Sequence, residues 1–278
     1  MTRSPLHLVE LHDMDDLRAV SDLFSAVWGR GDEGAPIPSE VLRGLIHAGG
    51  LVNAAYAAPP APGAGSGELL GAAVLAPSAD GGGYSMIAAA LPGHSDKGIG
   101  TALKEHQRAW AAARGMATIT WTFDPLVARN GHFNLDKLGA NAPHYERSFY
   151  GAMGDAINGN DDSDRLVAVW STTAPTPSQT PSPTSDGIRD HSASLLAGPD
   201  GHPAYLSVAG RGERWVRVPA DIVATRRDDP AAATRWRGVV REAMEDALAQ
   251  GLVATGVSRD QWYRFTTPAT TSHGRDDA

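Results

Sequence analysis

Cysteine is absent from the 278 residues, which excludes disulfides, thiolate metal ligands and a cysteine nucleophile. Positive charge is scarce too: 24 Lys and Arg stand against 32 Asp and Glu, for a net charge of -8. A general nucleic-acid binder needs clustered cations to displace phosphate counterions, so no nucleic-acid partner is expected. A small anion held in one local positive pocket remains compatible with that balance. Long apolar runs are missing, the run GAAVLA at 71–76 being far too short to cross a bilayer. The opening residues MTRSPLHLVELHDMDDL carry no basic start followed by an apolar core. The expectation is therefore no signal peptide, no membrane and a cytoplasmic protein. The ten histidines show no metal-ligand spacing, so no metal is expected. No nucleophile-elbow or phosphate-loop pattern is found.

What is present is an ordinary globular composition, 42% hydrophobic and 20% charged, long enough for one large or two modest domains. Residues 172–185, TTAPTPSQTPSPTS, hold four prolines among Ser and Thr, which favours an extended, solvated linker. The expected organisation is a first unit at 1–171, that linker, a smaller C-terminal α+β unit at 186–268 and a loose tail at 269–278. In the first unit HLVELH, LVNAAY, LLGAAVLA, YSMIAAAL, ATITWTF and RLVAVWS read as strands. Helices are expected after Asp15 and Asp16, after a capping Ser39, over Gly98–Arg114 with Gly115 closing it, and over Arg129–Leu138. That order is an α/β layer on a mixed sheet. In the second unit strands AYLSV, RWVRVP, LVATGV and WYRFT flank a helix. Its Trp236, Val239, Val240, Ala243, Met244, Ala247 and Leu248 form a core-facing stripe. Asp161, Asp162 and Asp164 read as a solvated acidic loop.

The most informative segment is YSMIAAALPGHSDKGIGTALKEHQRAW at 84–110. A strand runs through Pro92 into a glycine-containing turn and a helix that opens at Gly98, Ile99 and Gly100. The unpaired N–H groups and dipole of such a helix start suit a phosphate or pyrophosphate, and Lys97, Lys104 and Arg108 add positive charge. With Leu103 three residues on, the segment resembles the acyl-CoA-binding signature of the GNAT superfamily of N-acyltransferases. The following strand at 117–123, the helix RNGHFNLDKLGA at 129–140 and the wording WTFDPL-ARN-HFN-KLGA resemble a GNAT clade of small-molecule acyltransferases. The resemblance covers about the first three-fifths of the chain and implies a GNAT-like mixed sheet flanked by helices.

It further implies an acyl-CoA cosubstrate, acetyl-CoA or succinyl-CoA, that transfers its acyl group directly to a small-molecule amine or amino acid. Cofactor contacts are implied at Ala89, Leu91, Ser95, Asp96, Lys97, Gly98, Ile99, Gly100, Thr101, Asn130 and Phe133. A backbone N–H near Ala89–Leu91 would hold the oxyanion. The chain departs from the family pattern at Ser95, usually Arg or Gln, and at Asp96. It also departs at Leu135, where many members place the Tyr that protonates the departing thiolate. Tyr145, Tyr150 and His132 are the substitutes for that acid, and Asp124 is the expected general base, although Asp before Pro equally serves as a turn residue. Two other readings stay open, a non-catalytic GNAT-fold binding module and other CoA-thioester chemistry. The C-terminal unit could cover the acceptor site, extend the sheet or form a homodimer contact.

Overall fold

The computed structural model describes residues 6–28, 35–59, 67–94, 97–151, 161–174, 192–208 and 211–268. They form two compact units. One holds the described residues up to Thr122 with 169–174, and the other holds 123–151, 161–168 and those from 192 onward. The chain passes from one unit to the other at Thr122/Phe123, inside the expected first unit; most of the Pro/Ser/Thr-rich stretch lies outside the described residues, as does the tail at 269–278.

The first unit is built on strands β1 (His7–Glu10), β2 (Leu51–Tyr56), β3 (Leu69–Pro77), β4 (Gly83–Ala90) and β5 (Thr118–Phe123). β1 to β4 pair antiparallel in sequence order, and β4 pairs parallel with β5, so the sheet is mixed. Helices α1 (Met14–Trp28), α2 (Ser39–His47) and α3 (Ile99–Ala112) flank it. Side chains alternate across the strands with period two. Ala54, Tyr56, Ala72, Val74 and Ala89 join Leu17, Val20, Phe24 and Leu42 of α1 and α2 in one core. Ala55, Leu70 and Ala73 meet Ile99 and Leu103 of α3 in a second core, with Ala88 and Ala90 packed against it. Both faces are covered, which is why these strands read as nearly continuous apolar runs. Ser39 is not the expected cap: it is the first helical residue, Pro38 precedes it as N-cap, and no side chain caps the helix.

Gly71 lets α3 dock. A Cβ there would lie 2.6 Å from the Ala89 carbonyl oxygen and 2.7 Å from Ile99 Cγ2. Gly71→Val is expected to push the start of α3 off the sheet and cost about 1–3 kcal/mol by overpacking. Urea unfolding checks this, and an unchanged midpoint would show that α3 docks by other contacts.

The second unit opens with α4 (Ala128–Gly131) and a π-helical turn over His132–Lys137, where a single helix to Leu138 is the expectation. It continues with β6 (Asn141–Glu146), β7 (Arg165–Ser171, divided between the units), β8 (Ser192–Ala197), β9 (Pro203–Val208) and β10 (Glu213–Arg217). Helices α5 (Ile222–Asp228) and α6 (Pro230–Ala249) follow, then β11 (Val253–Val257) and β12 (Trp262–Thr266). Its antiparallel order is β6-β11-β12-β10-β9-β8. β6, β8 and α5 are additions to the expected elements. β6 carries Pro143 in its middle and pairs with β11 only at Ala142–Ala254, a pattern that a periodicity argument demotes. The apolar stripe of α6 does face a core, with Trp236, Val240, Ala243, Met244 and Ala247 buried. No described helix is long and apolar enough to cross a membrane.

Candidate active site

β4 and β5 pair at only two positions, Gly83–Ile119 and Tyr84–Thr120. Among the described residues no pairing continues beyond them, although β4 runs on to Ala90 and β5 to Phe123. The two strands therefore open into a wedge with its vertex just past Tyr84 and Thr120. Ser85 to Ala90, at roughly 3.3 Å per residue, gives that wedge a depth of about 17 Å.

Strand parity decides which backbone groups of β4 line the wedge. The Leu91 N–H donates to the Leu70 carbonyl at 2.9 Å, and the register sets Ala90 opposite Gly71 and Ala88 opposite Ala73. Leu91 and Ala89 thus direct their N–H and C=O groups to β3. Ala90 and Ala88, one residue out of phase, direct theirs to the wedge. This corrects the expectation for Ala89 and Leu91. Their backbone groups belong to the β3 ladder, the Ala89 side chain is buried in the α1/α2 core, and the donors on the open edge are Ala88 and Ala90.

At the open end the chain turns over Pro92–His94 and enters α3. Ser95 and Asp96 lie outside the described residues. Lys97 is exposed, its N–H bonded to the His94 carbonyl at 3.1 Å. Gly98 is the N-cap at φ 80° and ψ 7°, a left-handed conformation that explains the glycine. No side chain caps the helix, and the first bond it makes backward runs from the Ala102 N–H to the Gly98 carbonyl at 3.0 Å. The N–H groups of Ile99, Gly100 and Thr101 precede it and are the orphan donors of the helix start. Thr101 Oγ1 is buried there without a hydrogen-bond partner. These donors and the positive end of the dipole form an anion seat at the mouth of the wedge.

The vertex is polar where helix periodicity alone suggests core. Lys104 of α3 is 5% exposed. Its Nζ donates to Ser85 Oγ at 2.8 Å and lies 3.8 Å from the centroid of the Trp121 ring. Ser85 Oγ in turn donates to Gln107 Oε1 at 2.8 Å. Burial pushes the Lys104 ammonium down to about 7.

The remaining expected residues belong to the second unit. Asp124 is not a free base. Its Oδ1 accepts from Arg237 at 2.8 Å and its Oδ2 from Arg226 at 2.6 Å and Arg237 at 3.1 Å. Burial alone would raise its pKa, but Arg237 and Arg226 hold it down at about 2, so it has no appetite for a proton near neutrality. Its Oδ1 also accepts from the Leu126 N–H at 2.9 Å, the turn role open to an Asp before Pro. Asp161 shares the same two guanidiniums, with contacts of 3.1 Å to Arg226 and 2.9 Å to Arg237. Asp164 accepts from Arg241 Nε at 2.7 Å and from the Ser148 N–H at 2.9 Å. Asp161 and Asp164 are therefore partners of α5 and α6 arginines rather than a solvated loop, while Asp162 is exposed and pairs with Arg241 at 2.6 Å.

Tyr145 is engaged as well: its hydroxyl donates to Asp164 Oδ2 at 2.6 Å. Burial and that carboxylate raise its pKa far above the usual phenol range, which makes it a reluctant acid. Tyr150 is 49% exposed, with its ring edge-on to Phe149 at 4.7 Å and the Arg165 guanidinium 5.3 Å away. Leu135 is buried and carries no proton. His132 pairs with Asp136 at 2.7 Å. Asn130 is half-buried in α4, and Phe133 has the Lys137 ammonium 5.9 Å from its ring.

No family model matches the chain, and no curated protein does. Solved structures are similar to it. One is the IAA acetyltransferase from Bacillus cereus, 15% identical, covering 60% of this chain and 99% of that one at TM-score 0.44. A second is the ribosomal-protein-S18-alanine N-acetyltransferase from Escherichia coli, 16% identical over 63% and 99%, TM-score 0.44. A third is a GNAT family acetyltransferase from Elizabethkingia anophelis with acetyl-CoA bound, 13% identical over 60% and 97%, TM-score 0.45. Each is a likeness of backbone outline at low identity.

Proposed function

We propose that the protein is an acyl-CoA-dependent N-acyltransferase that passes an acetyl or succinyl group to a small amine or amino acid. The observation that carries this reading is the parting of β4 from β5 with the uncapped α3 start at its mouth. An acyl-CoA fits that arrangement by charge and by hydrogen bonding. The N–H groups of Ile99, Gly100 and Thr101, with Thr101 Oγ1, would hold the pyrophosphate. The Ala88 and Ala90 edge offers donors and acceptors to the amides of the pantetheine arm. When bound, the thioester supplies an activated acyl carbon, and a backbone N–H on the open edge of β4 would stabilise the developing oxyanion. Asp124, held by two guanidiniums, would not serve as the base, and Leu135 would not serve as the acid. A thiolate of pKa about 8.5 departs near neutral pH and takes up the ammonium proton itself.

Thermal unfolding with CoA, acetyl-CoA and succinyl-CoA tests the reading. A ligand at 100 times its Kd is expected to stabilise by about 2.7 kcal/mol, a shift of several degrees. The acyl form that shifts most identifies the donor. Gly100→Leu, which projects a side chain into the anion seat, is expected to abolish the shift while leaving the unliganded melting temperature within a few degrees. No shift for the wild-type protein with any of the three would overturn the proposal. The engagement of Asp124 favours one other reading, a binding module without turnover. CoA binding with no thiol release across an amine panel would select it.

A further inference from the structure

The chain builds its cations almost wholly from arginine, with lysine at only Lys97, Lys104 and Lys137 among 24 basic residues. Lys97 and Lys137 are exposed; the buried basic positions Arg108, Arg165 and Arg237 are arginine. Lys104 is thus the one position where this chain buries an amine that can lose its proton, since a guanidinium stays charged at any working pH.

Its location is specific. Pairing between β4 and β5 ends at Tyr84 and Thr120, and Lys104 Nζ touches the next residue of each strand, Ser85 and Trp121. The amine sits at the vertex, where the reactive end of a molecule threaded down the wedge arrives. Beside it, Gln107 Nε2 is buried without a partner. Arg108, one turn further along the helix, is turned to the Ser171 carbonyl at 3.0 Å and to the Trp170 ring. On β1, Glu10 acts on His106. Burial is the sole cause of the Lys104 shift, so among the described residues no carboxylate draws the ammonium back to its charged form.

We propose that Lys104 is itself an acyl acceptor, taking the acyl group from a thioester bound in the wedge when no external amine is present. The inference rests on the acyl-CoA reading above. The Nζ lone pair attacks the thioester carbonyl, the C–N bond forms, the C–S bond breaks, and the departing thiolate takes the ammonium proton. The products are an amide on Lys104 and free CoA thiol, with no further reactant. At pH 7 about half of an amine with that lowered pKa is neutral, against on the order of one in a thousand for an unperturbed lysine. Desolvation activates lysine nucleophiles in this way. The product amide is neutral, so acylation also removes an ammonium that has no counter-ion among the described residues.

The experiment incubates the whole protein with acetyl-CoA between pH 6 and 9, without amine, and reads intact mass and peptide maps. Calorimetry reports acetyl-CoA binding on the same samples. The expected result is one acetyl group per chain, mapped to Lys104, with a rate that rises through pH 7 and levels above it. Lys104→Arg and Lys104→Met are expected to gain no mass while still binding CoA, circular dichroism confirming that at least one of them folds. Wild-type protein that binds acetyl-CoA but stays unmodified would overturn this inference alone. So would acetyl groups spread equally over the exposed Lys97 and Lys137. Failure to bind acetyl-CoA would remove the acyl-CoA reading and this inference together.

Discussion

Replacing Arg237 with Met is expected to cost about 3–5 kcal/mol of stability, because it strands buried carboxylates. Arg237 is 2% exposed and holds Asp124 and Asp161 at once, while Arg226 bridges the same two from the other side. Arg237 and Arg226 bridge the two anions, and the buried Arg165 faces Asp124 as a third cation. Removing Arg237 takes one cation and its hydrogen bonds from carboxylates whose side chains are 7% exposed or less. Pairing Arg237→Met with Asp161→Asn restores the count and is expected to recover part of the loss, so the double-mutant cycle separates charge from packing. The pH dependence has a definite sign. The folded pKa of Asp124 is depressed to about 2, so its stabilising contribution is present above the unfolded value near 3.9 and is lost as pH falls toward 2. Arg237→Met should therefore unfold at a markedly higher pH in acid titration than the wild-type protein. A loss below about 1 kcal/mol in urea unfolding would mean that water or a side-chain shift satisfies the carboxylates instead.

Lys104→Met is expected to act in the opposite direction. A lysine whose folded pKa is pushed down to about 7 binds fewer protons folded than unfolded between 7 and 10.5. Its cost is fully present below pH 7 and fades as pH rises toward 10.5. That lowering corresponds to on the order of 5 kcal/mol, partly offset in the wild-type protein by the Trp121 ring. Lys104→Met, of similar length and apolar, should thus be more stable than wild type at pH 6, with the gap closing by pH 10. Denaturant midpoints at four pH values measure it. A variant less stable than wild type at pH 6 would mean that the ammonium is well solvated at the vertex.

How much of this is readable from the chain follows from the range of each interaction. Period-two and period-three-to-four apolar patterns place β1 to β5, α1 to α3 and the stripe of α6, because those are local matches between side-chain spacing and one buried face. Arg237 sits one residue from Trp236 inside that stripe and is invisible to it, since the pattern counts apolar residues and Arg237 is buried by its partners. Asp124 illustrates the same limit: Asp-Pro spells a turn, which is present, while the two guanidiniums that fix its charge come from more than a hundred residues away. The anion seat is local and its glycines announce it. The wedge is not local. Nothing in YSMIAAAL or TITWTF says that their pairing stops after two positions, and Lys104 reads as positive charge for the anion seat until that divergence places it beneath Ser85 and Trp121.

The alternation along β4 carries an evolutionary constraint. Ala88 and Ala90 offer their amides to the wedge only because Ala89 and Leu91 are spent on β3, so the site is defined by odd and even positions rather than by side-chain identity. Alanine suffices at all three of 88, 89 and 90 for that reason. Sequence drift there can be broad. β4 already accommodates one extra residue as a bulge at Met86, where the register passes from Ser85–Leu75 to Ile87–Val74, and keeps the parity of 88 to 90. An added residue not bulged out in this way would turn the donors of the wedge into the ladder and exchange the two cores that the strand divides.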